Sequence, residues 1–170
     1  MKNSNLFCLA LLGFLLLQTS CNKAGELCFD FAQSSTITTN PVAAPGTVSV
    51  TKSLGTALSD QLTSKGVKID NVNTVKVNAI TITIPSTAGY TFADITAAEV
   101  LVNSISLGKL PTGATGLTAT FSAPSQTDFK AAFLTASNPT MVFNATFTKA
   151  VPASSTLDVK IPLNTCYQVL

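Results

Sequence analysis

Four residues in this 170-residue chain carry a side chain reactive enough to invite covalent chemistry, the cysteines Cys8, Cys21, Cys28 and Cys166. A thiolate is a nucleophile, a metal ligand or half of a disulfide, depending on its neighbours and its compartment. The usual catalytic partners are scarce. The chain has no His, which removes the commonest general base, the usual zinc ligand and the near-neutral proton switch together. Ser106-Leu107-Gly108-Lys109 has the Ser-x-x-Lys spacing of an acyl-transfer pair, but it ends a predicted strand, and neither a Ser-Asp-Asn nor a Lys-Thr-Gly element accompanies it. Asp70-Asn71-Val72-Asn73 begins like a calcium loop and lacks the later Gly and bidentate Glu, so it reads as a polar turn. Gly113 and Gly116 precede neither a Lys nor a helix start and are loop glycines. From Asp60 onward the carboxylates are dispersed along the chain, and no pair suggests general acid–base work. The expected protein is not an enzyme and takes no cofactor or metal.

What remains is the chemistry of the thiols, and position sorts them. Leu6 to Leu17 is an apolar run preceded by Lys2 and followed by Thr19-Ser20-Cys21. Twelve residues make about 18 Å of helix, short of the ~30 Å hydrocarbon core, so the run reads as a signal-peptide core rather than a span. Leu15-Leu16-Leu17-Gln18-Thr19-Ser20-Cys21 resembles the lipobox of bacterial lipoproteins, with Gln18 where the family usually has Leu. Looser lipoboxes of this kind are similar to those of Bacteroidetes-type lipoproteins. The resemblance implies cleavage after Ser20, a palmitate-type lipid anchor on Cys21 and a place in the cell envelope. Asn22, in place of a retention Asp, implies the outer membrane. The expected division is a signal peptide over residues 1–20, a lipidated tether over 21–26 and a domain over 27–170.

With Cys8 removed and Cys21 acylated, Cys28 and Cys166 are left in an oxidising compartment, where a disulfide between them is the expectation and two free thiols the alternative.

The ten basic residues are all Lys, scattered singly, and the formal net charge is +2. Nucleic-acid binding calls for a clustered basic face, and none is present. Ser, Thr, Val and Ile dominate instead, the mixture that suits half-buried strands. Alternation marks strands at 27–31, 47–51, 73–84, 98–107, 117–122, 141–148 and 157–163, with a short one near Ile37 in a loop over 33–46. In 73–84 the apolar parity changes between Val77 and Ile80, which calls for a β-bulge near Asn78–Ile80. Leu54, Leu58 and Leu62 mark a helix over 54–65, capped by Ser53 and stopped by Gly66; Ser125 and Asp128 open a second, with Phe129, Ala132 and Phe133 on one face. Strands 141–148 and 157–163 read as a C-terminal hairpin. The sum is an all-β protein, an immunoglobulin-like two-sheet sandwich with two short helices. Its pattern is similar to small Bacteroidetes lipoproteins, a resemblance that supplies a fold and no activity.

Two uses fit such a domain. One is a structural or interaction module held at the membrane through its lipid, with an envelope protein as partner. The other is a glycan or small-ligand binder using loops at one end, for which Tyr90, Phe92 and Asn103 are the candidates. Against the second stands the absence of Trp, the preferred stacking surface for sugars.

Overall fold

A computed structural model describes residues 25–43, 45–55, 57–124, 128–135, 138–151 and 155–169. The expected signal segment and Cys21 lie outside them, as does Ser125. The strands are β1 (Glu26–Thr39), β2 (Gly46–Ser53), β3 (Val72–Val77), β4 (Ile80–Thr83), β5 (Ile95–Val102), β6 (Ile105–Lys109), β7 (Thr118–Phe121), β8 (Thr140–Phe147) and β9 (Ser155–Gln168). Helix α1 (Ala57–Ser64) lies between β2 and β3, and α2 (Lys130–Leu134) between β7 and β8.

Two antiparallel sheets pack face to face, as expected of an all-β sandwich. The first runs β1-β9-β4-β7, with β3 also paired to β9; the second runs β2-β8-β5-β6. Strand periodicity puts alternate residues inward, and the inner rows form one core. Met141, Phe143 and Phe147 of β8 and Val100 of β5 are buried from one side, with Ile80, Ile82, Leu157 and Ile161 buried from the other.

β9 is the axis of the first sheet, and its pairing explains the parity change upstream. Cys28 and Cys166 face each other with Cα atoms 4.0 Å apart, the spacing of a non-hydrogen-bonded pair. Counting along the continuous β1–β9 register, the even residues of β9 direct their amides toward β3 and β4. Pro162 is one of these and has no N–H to offer. There the ladder breaks: Val77 pairs with Leu163 and Thr81 with Lys160, four steps on one strand against three on the other. The extra residue is the expected bulge. Asn78 and Ala79 are both exposed, and Pro162 O accepts from Asn78 N at 3.0 Å. Val75 and Val77 on one side of the bulge and Ile80 and Ile82 on the other can then all point inward.

Four expectations are corrected. The segment expected as a loop over 33–46 is mostly the second half of a fourteen-residue β1. The expected strand 98–107 is a hairpin: Asn103 (φ 47°) and Ser104 (φ 66°) form a two-residue turn with both residues left-handed, the geometry that matches strand twist. Strands β8 and β9 are no hairpin, since they belong to opposite sheets. Helix α1 begins at Ala57, so Ser53 does not cap it; its hydroxyl accepts from Gly55 N at 3.3 Å in the preceding turn. The helix does stop at Gly66 (φ 73°), where Val67 N bonds Leu62 O and Gly66 N bonds Thr63 O, a Schellman pair closed by apolar contact of two buried residues.

Candidate functional site

The clearest covalent feature is the disulfide between Cys28 of β1 and Cys166 of β9, at directly opposed positions. Glu26, two residues before Cys28 on the same face, is 8 % exposed and accepts from Asn73 Nδ2 at 2.8 Å. Its carboxylate and the two sulfurs lie within 4.8 Å of one another, a grouping of metal-ligand types that sequence spacing alone does not reveal. In the bridged form the sulfurs are not thiolates, so the strong soft-metal donors are absent. The grouping is a cross-strand staple with a carboxylate packed beside it. On the inner face of the same strand end, Phe29 stacks on Tyr167 at 5.1 Å, and Lys65 Nζ sits 5.2 Å from the Phe29 ring centre.

The three residues considered for a ligand do not come together. Tyr90 is 2 % exposed and Phe92 fully buried, so neither ring has a free stacking face. With Ile95 they plug one end of the sandwich: Tyr90 meets Phe147 edge-on at 5.3 Å and Phe92 meets Phe121 at 6.3 Å. A capping box holds the short turn between them and β5, in which Asp94 Oδ2 accepts from Thr91 N and Thr91 Oγ1 accepts from Ala93 N. Asn103 lies toward the other end, beside Thr140, about 24 Å from Phe147 along the seven steps of β8. Its side chain is occupied: Nδ2 donates to Ala132 O at 2.9 Å and Oδ1 accepts from Thr140 N at 3.0 Å.

Burial raises the Tyr90 hydroxyl above its ordinary value of 10.0, while the Thr39 hydroxyl beside it acts in the opposite direction. Thr39 Oγ1 donates to Ser155 O at 3.0 Å, and the Tyr90 hydroxyl makes no hydrogen bond of normal geometry.

The other sequence motifs serve structure. Ser106 donates to Glu99 Oε1 at 2.6 Å from β6, and Lys109 is cross-strand from Glu99. Asp128 Oδ1 accepts from Lys130 N at the start of α2 and from Val75 N on β3, so it ties that helix to a sheet edge.

Two shallow hollows lie on the outer faces of the sheets. One, of about 380 Å³, is bordered by Ser34, Thr36, Thr81, Thr83, Asp158 and Lys160; the other, of about 240 Å³, by Thr47, Ala97, Glu99, Lys109, Asn144 and Thr146. Both mix small side chains with one carboxylate and one Lys and resemble the solvated side of an ordinary sandwich. In the first, Thr36 Oγ1 already donates to Asp158 Oδ1 at 2.7 Å.

No family model matches the chain, and no curated protein matches it. Among solved structures it is similar to a chain of Desmodium yellow mottle tymovirus, at 11% identity and a TM-score of 0.33, over 91% of this chain and 95% of that one. A likeness at that score bears on neither fold nor function.

Proposed function

We propose that the protein is a non-enzymatic module of the bacterial cell envelope, lipid-anchored at Cys21 and displayed from the outer membrane. The observation that carries this reading is the apolar run ending in Thr19-Ser20-Cys21, followed within five residues by the first residue of β1. An anchor at Cys21 would hold the sandwich close to the bilayer, and two or more acyl chains suffice for stable attachment. The disulfide supports an oxidising compartment. The structural duties of Asp94, Glu99, Asn103, Asp128 and Asp158 support a scaffold in place of a reaction centre.

Metabolic labelling with an alkyne fatty acid tests the anchor. The wild type should carry label and partition with detergent, and Cys21→Ala should lose both. Label retained by Cys21→Ala would sink the reading.

A further inference from the structure

Strand edges expose rows of unpaired N–H and C=O groups, and stable sandwiches keep them short, charged or covered. Most edges here follow that rule. β6 and β7 have five and four residues, and Lys109 at the end of β6 bridges to Ser122 just past β7. β2 carries an exposed Lys52. β3 carries Lys76 and is covered: Phe129 N donates to Val75 O at 2.7 Å, Val75 N to Asp128 Oδ1 at 2.9 Å, and Lys130 Nζ to Val72 O.

β1 is the exception. It has fourteen residues paired without a register shift to β9 on one side, and among the described residues no strand pairs with the other side. Its run Phe31–Thr39 contains no charge, proline or glycine. The narrow pair at Cys28 fixes which groups face out. The odd residues bond β9, so Ala32, Ser34, Thr36 and Thr38 direct their N–H and C=O groups to the open edge.

We infer that β1 is the docking edge for a second copy of this chain, paired antiparallel about a two-fold axis at Ser35. The charge distribution favours a copy of itself. The acids Glu26 and Asp30 are confined to one end of β1, so antiparallel pairing about Ser35 places Asp30 opposite the neutral Asn40 of the copy. Like charges never meet. Ser34 would face Thr36 and Ala32 would face Thr38, hydroxyl and methyl pairs that suit adjacent strands. Four such pairs exchange about eight backbone hydrogen bonds, two per pair. The contact is isologous and closes at two copies. It rests on the interaction half of the proposed function and is independent of the anchor: an unlabelled dimer and a labelled monomer are distinguishable results.

Ser35→Cys in the full chain, expressed in cells and mildly oxidised, is the test. Ser35 would meet its copy at a non-hydrogen-bonded position, the same type of site that Cys28 and Cys166 occupy. A reducible band at twice the chain mass should exceed that of Thr120→Cys, an exposed control on β7, by at least tenfold. Adding Thr38→Lys, which faces the neutral Thr156 within its own chain, should remove most of that band while leaving the far-UV spectrum and thermal midpoint unchanged. Cross-linking no stronger than the control overturns the proposal. So does a ladder of higher species, a band of foreign mass, or a band indifferent to Thr38→Lys. Should Ser35→Cys fail to fold, sedimentation of the purified wild type in detergent decides: two chains per particle are expected, and one chain overturns the inference.

Discussion

Cys28 and Cys166, separated by 138 residues of sequence, are immediate cross-strand neighbours on β1 and β9. The bridge therefore adds little to the geometry of a ladder that already runs the length of both strands. Its contribution lies in the unfolded chain, where it closes a very long loop; the chain-entropy account gives about 4–5 kcal/mol for that length as an upper figure. Replacing both cysteines by Ser should lower the urea-unfolding free energy by about 2–4 kcal/mol without changing the far-UV spectrum. A loss under about 0.5 kcal/mol would show that the oxidised and open chains have equally restricted unfolded states.

The inward row of β8 gives a second expectation. Phe143 is fully buried between the sheets, whereas Thr146 points to the outer side of the same strand. Phe143→Ala should cost about 3–5 kcal/mol, and Thr146→Ala well under half of that. Equal losses at the two sites would contradict the packing of the inner face. Denaturant unfolding of both variants measures it.

That parity was readable because β8 and the middle of β9 alternate cleanly, and the bulge was readable because apolar residues change phase on either side of Asn78 and Ala79. The second half of β1 was not. Its inward positions include Gln33 and Thr39, which break the apolar alternation, and they are tolerated because Gln33 Nε2 donates to Leu54 O and Thr39 Oγ1 to Ser155 O. Those partners lie 21 and 116 residues away, beyond any local pattern. The Asn103-Ser104 turn was hidden for a related reason, since Asn with Ser is a weaker hairpin signal than Asn with Gly. Tyr90, Phe92 and Asn103 have the right chemistry for a ligand, and only the fold shows that core packing and loop clamping have already used it.

Asn103 is the sharpest of these cases. It combines a left-handed backbone with two side-chain hydrogen bonds that join the β5–β6 turn to α2 and β8. Asn103→Ala loses both bonds and takes on the left-handed strain, for an expected cost of about 2–3 kcal/mol. Asn103→Gly loses the same bonds without the strain and should be about 1 kcal/mol less damaging. Thermal or urea unfolding separates the two; Gly worse than Ala would mean the turn does not hold its left-handed geometry in solution.

Tyr90 is expected to limit stability at alkaline pH. Its folded-state pKa is raised chiefly by burial, so above the ordinary value of 10.0 the unfolded chain loses this proton more readily than the folded one. The contribution to stability is intact below that pH and is lost as pH rises toward the folded-state value. The informative quantity is the difference between wild type and Tyr90→Phe, which isolates this one hydroxyl. At pH 7 the substitution should be within about 1 kcal/mol of neutral, because the hydroxyl it removes is buried without a normal hydrogen bond. Between pH 9 and 11, on the order of the range where tyrosines ionise, the variant should lose stability less steeply than the wild type. Parallel curves would place the Tyr90 hydroxyl in contact with solvent and remove burial as the cause.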